Sequence, residues 1–210
     1  MYQPNTQPTH DLMLRETASQ TAGPFVHIGL ALAAAGNPER DEEIWNEMAK
    51  PGAEGERIQI VGTVIDGNGD LVRDAFLEAW QADPEGHYQA NYDLQKPFNG
   101  FGRTATTFDH GSEWSLITLK PGAVIHPNGT PMAPHINLSI FARGINIHLQ
   151  TRLYFDDEME ANRTCPVLSR LESDNRRQTL IAKREEGGEM VRYRFDIRLQ
   201  GPGETVFFDF

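Results

Sequence analysis

The sequence predicts a mainly β protein: an antiparallel β-sandwich with an extended N-terminal arm and a few short helices. Three observations carry this. From Val191 to Leu199, the residues Val191, Tyr193, Phe195, Ile197 and Leu199 alternate with Arg192, Arg194, Asp196 and Arg198. That period of two gives a strand one apolar and one polar face. Further β-branched stretches recur between turn signals, with few long helical patterns among them. Finally, a chain of 210 residues fits one sandwich domain with room for an arm.

Residues 1–38 are rich in Pro, Thr, Gln and Gly and read as an arm that docks rather than folds alone. Residues 39–210 read as the sandwich domain. Its first element is a helix over Glu39 to Ala49 (ERDEEIWNEMA). Acidic residues crowd its first turns, where the positive end of a helix favours them. Ile44, Trp45 and Met48 share one face, and Pro51-Gly52 stops it. From Arg57 the pattern becomes β. RIQIVGTVI runs into Asp66-Gly67-Asn68-Gly69, a strong turn signal, and LVRDAFLEAW reads as the return strand. WSLITLK (114–120), HINLSIFA (135–142) and INIHLQTRLYF (145–155) are further strands. Short helices are expected at 156–162 and 166–173, and Thr205 to Phe210 as a last strand.

Composition narrows the function. Thirty acidic residues against nineteen Lys and Arg give a net charge of −11, so nucleic acid is a poor partner, because phosphate binding needs clustered positive charge. The one cysteine, Cys165, excludes an internal disulfide and a thiol metal cluster and fits a reducing compartment. The first fifteen residues lack the basic start and apolar run of a signal peptide, and the apolar run Ile28 to Ala35 is far short of a membrane span. A cytoplasmic protein with no membrane partner is expected. P-loop, GxGxxG, HExxH and GxSxG signatures are missing.

Three segments could carry chemistry. In LEAWQADPEGHY (77–88), a strand ends near Trp80 and a turn over Asp83 to Gly86 leaves His87 and Tyr88 at a sheet edge. The alternative is a turn with a packed aromatic. In the segment 120–137, four prolines fix a loop leading into a strand, and His135 and Asn137 face one side. His-x-Asn is a weaker metal clip than His-x-His, since an amide oxygen is a neutral, weak donor, and from spacing alone a structural His135 is the favoured reading. The third is Thr21-Ala-Gly-Pro-Phe25 together with Ala142-Arg-Gly-Ile145. Gly23 lets a ligand approach the backbone, and Pro24 holds the residue before it extended. Arg143, just before Gly144, reads either as a solvated turn residue or as a fork that binds a carboxylate.

Several long motifs carry a resemblance: SQTAGPFVHIG (19–29), FLEAWQAD (76–83), FGRTATTFD (101–109), APHINLSIFARGINIHLQTRLYFDDE (133–158) and YRFDIRLQGPGETVFFDF (193–210). Together they resemble the alpha-chain family of protocatechuate 3,4-dioxygenase, among the intradiol aromatic-ring dioxygenases. The resemblance implies a mainly antiparallel sandwich and a hetero-oligomer of similar alpha and beta chains. It implies a reaction that opens protocatechuate with O₂ between its two hydroxylated carbons, giving 3-carboxy-cis,cis-muconate in aromatic catabolism through β-ketoadipate. In the family's beta chains, Fe(3+) is held by two tyrosines and two histidines. Tyr88 and His135 match one of each, whereas Val124 and Asn137 stand at the other two places, and Met132 stands where the family has an arginine. The resemblance therefore implies that the beta chain holds the iron and that this chain holds no metal and no catalytic residue. It implies a wall of the shared site built from Thr21, Gly23, Pro24 and Arg143. A self-sufficient iron enzyme and a non-catalytic sandwich binding module are the rival readings.

Overall fold

The computed structural model describes residues 20–23, 26–32, 35–38, 43–106 and 110–209. An eight-stranded sheet dominates it. The strands that make it are β1 (Arg57–Gly62), β3 (Phe76–Gln81), β4 (Phe101–Ala105), β5 (Trp114–Leu119), β8 (His135–Phe141), β9 (Leu149–Phe155), β10 (Ile181–Glu185) and β11 (Val191–Arg194). They lie in the order β4-β3-β8-β9-β10-β11-β1-β5. Two-residue strands pair as β2 (Val64–Ile65) with β12 (Ile197–Arg198), and β6 (Val124–Ile125) with β7 (Pro131–Met132).

The sheet curls until its two edges meet. The Thr104 hydroxyl on β4 donates to the Ser115 carbonyl on β5 at 2.8 Å and accepts from the Ser115 N–H at 3.3 Å. Two opposed layers thus enclose one core, with Ile60, Trp114, Ile136, Leu138, Leu153 and Phe155 fully buried. Each such side chain contributes roughly 1.5–3 kcal/mol on leaving water. The expected sandwich is what forms, and most pairs are antiparallel. Three are parallel: β1 with β11, β9 with β10, and β2 with β12.

The alternation over Val191 to Leu199 holds, with Tyr193, Phe195 and Ile197 buried. The expected single strand divides at Phe195-Asp196, because the ladder beside it divides too. Phe195 N–H donates to Val61 O and Ile197 N–H to Thr63 O, both at 2.8 Å. A Cβ on Gly62 would lie 1.8 Å from the Phe195 carbonyl oxygen, so glycine permits this approach.

Other expectations are corrected. Asp66 does turn the chain, its carboxylate accepting from the N–H groups of Asn68 and Asp70 at 2.9 Å. The segment after it is no hairpin partner of β1. Only Leu71 bridges back to Ile65, and β3 instead pairs β4 and β8. Of the helix expected over 39–49, the first four residues lie outside the described set, and residues 43–49 are not helical. They run along the free edge of β5: Met48 N–H donates to Ile117 O at 2.8 Å, and Ile117 N–H to Asn46 O at 2.7 Å. Pairing an otherwise open strand edge while burying Met48 and Ala49 outweighs helical propensity.

The described part of the arm is not purely extended, since Val26–Leu30 forms a short helix, α1. Ala31 and Leu32 beyond it are buried, so the arm's inner end packs on the chain's own core. Helix α2 (Met159–Thr164) and a 3₁₀ turn at Leu168–Arg170 occupy the expected helical region, and α3 (Asp174–Gln178) follows. The expected last strand reduces to one bridge, Phe208 to Gln150, with Phe210 outside the described residues. Among those residues, no helix is long and apolar enough to cross a membrane.

Candidate functional site

The register of β4, β3, β8 and β9 sorts their side chains into rows on the sheet's outward face. Phe101, Trp80, Asn137 and Arg152 form one row, and Arg103, Glu78, Ser139 and Gln150 the next. Alternation makes this inevitable. Leu77, Ala79, Ile136, Leu138 and Leu153 point into the core, so their neighbours point out. The residues of these rows other than Arg103 floor a cavity of about 750 Å³, walled by Tyr88 to Tyr92 and Met132. Trp80 is half exposed, and its ring meets that of Tyr88 with centroids 4.8 Å apart. Glu78 is held by Arg103 through bonds of 2.9 and 3.0 Å.

At one end of this cavity, Tyr88, His135 and Asn137 come together. The Ala133 carbonyl can only accept, so His135 Nδ1 carries the proton and donates to it at 2.8 Å. His135 Nε2 then accepts from the Tyr88 hydroxyl at 3.4 Å. Asn137 Nδ2 donates to Tyr88 Oη at 2.9 Å and to the Trp80 carbonyl at 3.1 Å. Burial, reinforced by the Arg152 charge, pushes the His135 imidazole down from its ordinary 6.5 to about 4, so it is neutral at physiological pH. Burial also pushes the neighbouring Tyr154 phenol up.

Ferric iron asks for several anionic, hard donors. Here Asn137 turns N–H groups, not a lone pair, toward Tyr88, and those N–H groups are fixed by two acceptors. Val124 offers a hydrocarbon, paired in the β6–β7 ribbon with Met132. Met132 is buried, with its sulfur 3.6 Å from Arg152 Nη1. Among the described residues, no group of three or more His, Cys, Asp or Glu side chains could hold a metal. These residues do not fit a ferric ion.

The second predicted cluster lies at the other end of β8, roughly 20 Å along the strand. Thr21 and Arg143 do come together. The Thr21 hydroxyl donates to Ala142 O at 3.2 Å and accepts from Gly144 N–H at 2.9 Å, clasping the turn on both sides of Arg143. Arg143 Nε forms an ion pair with Asp74, whose side chain is only 12% exposed against 62% for the arginine. Arg143 is therefore a tethered turn residue, not a free one. Gly23 is exposed, and among the described residues a Cβ there would touch nothing within 4 Å. Pro24 lies outside the described residues. Between the two ends, α1 and Ala31 pack over Phe76, Ala105 and Phe141.

Two residues of this face, Arg152 and Asp74, are not singled out from the sequence. Arg152 stands at a polar position of an alternating strand, which the period does signal. Asp74 is signalled only by counting outward from the β3–β8 register.

Comparison with known proteins completes the picture. Residues 31–201 match the family model described as "Dioxygenase". The chain is 68% identical, over 94% of its length and 98% of the relative's, to the protocatechuate 3,4-dioxygenase alpha chain of Pseudomonas putida. It is 31% identical to the protocatechuate 3,4-dioxygenase beta chain of Burkholderia cepacia, over 79% of this chain and 74% of that one. Among solved structures, 3-chlorocatechol 1,2-dioxygenase of Rhodococcus opacus 1CP shares the fold, with a TM-score of 0.56 at 18% identity, covering 83% of this chain and 78% of that one.

Proposed function

This chain belongs to the dioxygenase family, and from that premise we propose that it is the iron-free alpha subunit of a protocatechuate 3,4-dioxygenase. The complex opens protocatechuate with O₂ between the two hydroxylated carbons, giving 3-carboxy-cis,cis-muconate. The ferric ion belongs to the beta chain, and alpha–beta units associate into a higher oligomer in the cytoplasm. The observation that carries this is 68% identity to an alpha chain over nearly its full length, combined with a donor set that does not fit iron: Asn137 presents N–H groups and Val124 no donor at all.

This chain supplies one wall of the shared site. Thr21, Gly23, Pro24 and Arg143 form it. Gly23 leaves the backbone open to close approach by a ligand or a partner chain. The hydroxyl of Thr21 ties the arm to the Ala142–Gly144 turn. Arg143 meets the substrate carboxylate, where a guanidinium attracts and orients an anion inside an otherwise acidic protein.

The test is purification of this chain alone and coexpressed with its beta chain, reading iron content and ring cleavage in each. Iron and turnover should appear only with the beta chain. A lone chain that retains stoichiometric ferric iron and cleaves protocatechuate would overturn the reading.

A further inference from the structure

We propose that Asp74 is the positioning residue for Arg143, holding its guanidinium at the angle from which it receives the substrate carboxylate. The inference rests on the reading of Arg143 as a carboxylate-binding residue and adds the group that aims it.

Geometry carries the argument. Strands β3 and β8 pair with Phe76 opposite Phe141. Two residues before Phe76 and two beyond Phe141, in the turns just past the end of that ladder, Asp74 and Arg143 meet as an ion pair. The residues between, Ala75 and Ala142, are buried at 0% and 1% exposure. The anchor of the pair thus lies, little exposed, in the turn that leads into β3, while the arginine projects from the turn that follows β8.

Arg143 sits in a turn that three contacts fix. Ile145 N–H closes it onto Ala142 O at 3.2 Å, and Gly144 takes a left-handed φ of +86° that favours glycine. From the arm, Thr21 clasps the backbone on both sides of Arg143. The turn is therefore defined, but an arginine stem on it still has several rotamers. Asp74 removes that freedom. It binds Nε, the nitrogen nearest the stem, which leaves the terminal pair of guanidinium nitrogens to face a second anion as a fork. A carboxylate with little exposure does not wander, so it fixes direction better than a surface partner could.

Asp74 also places a negative charge behind the arginine, which opposes binding of an anion. The two effects have opposite signs on KM, and the proposal is that orientation outweighs charge. The experiment uses the coexpressed alpha–beta complex with iron in place. Asp74→Asn keeps the shape and removes the charge that fixes Nε. KM for protocatechuate should rise by about two- to fivefold, the range of a partly exposed ion pair, with kcat little changed. Catechol, which has no carboxylate, should show no such rise. Asp74→Glu should restore part of the loss. In an Arg143→Ala background, Asp74→Asn should raise KM no further.

An unchanged or lowered KM for protocatechuate in Asp74→Asn overturns the proposal, as does an equal rise with catechol or an undiminished rise in the Arg143→Ala background. The underlying reading fails separately, if Arg143→Ala alone leaves protocatechuate kinetics untouched.

Discussion

Replacing Arg143 by alanine removes the one group in this chain assigned to the substrate's carboxylate. A hydrogen bond to a charged partner contributes roughly 1.5–3 kcal/mol, a ten- to hundredfold range in affinity. The structure places the expected loss at the lower end. The Arg143 side chain is 62% exposed, which screens its charge, and its Nε is already engaged by Asp74. A fall in kcat/KM of about tenfold for protocatechuate follows, carried mainly by KM. The substitution has a second consequence. Asp74, 12% exposed, is left as a nearly buried carboxylate without its cation. That destabilises the turn irrespective of substrate. Catechol separates the two effects, because only protocatechuate presents a carboxylate to the missing fork. Steady-state kinetics with both substrates on the intact complex, after a melting curve confirms assembly, is the assay. Arg143→Lys should recover part of the loss, since lysine keeps charge but not the planar fork. An equal loss for both substrates, or none for either, would refute the carboxylate role.

His135 makes stability pH-dependent. The unfolded imidazole takes up its proton near 6.5 and the folded one only near 4, so the stability present above pH 6.5 is lost as pH falls toward 4, by roughly 3 kcal/mol at about 1.36 kcal/mol per unit. A His135→Gln complex should show a shallower decline of melting temperature over that window, and parallel declines would contradict the buried, neutral imidazole. Installing Val124→Tyr and Asn137→His together should let this chain retain some iron without cleaving protocatechuate on its own, because Met132 leaves the arginine's place empty. The binding stays partial, because missing supporting groups alone weaken a metal site about 10–100-fold; ring cleavage by the lone variant chain would contradict this.

How much of this was legible in the sequence depended on the range of the interaction. Alternation is local, so the faces of β5, β8 and β9 and the buried positions of Val191 to Leu199 could be read directly. Pairing is not local. Nothing in Val191–Arg194 states that its neighbour β1 runs parallel to it, and nothing in the turn at Asp66 states that β3 leaves for β4 and β8. The acidic, amphipathic stretch ending at Ala49 satisfied the helix pattern. The unpaired edge of β5 was invisible to that pattern and claimed residues 46–49. The site divides the same way. The missing donors at Val124 and Asn137 could be read off motifs. The hydrogen bonds that lock Asn137 onto Tyr88, and the ion pair that turns Arg143 from a solvated residue into a tethered one, appear only once distant strands are in register.

In this reading the iron of the working complex lies outside this chain. An anomalous difference map recorded at the iron edge, from crystals of the alpha–beta complex, tests it most directly. A peak is expected at the beta chain's site and none in the space bounded by Tyr88, His135 and Asn137. A peak of comparable occupancy between Tyr88 and His135 would contradict it.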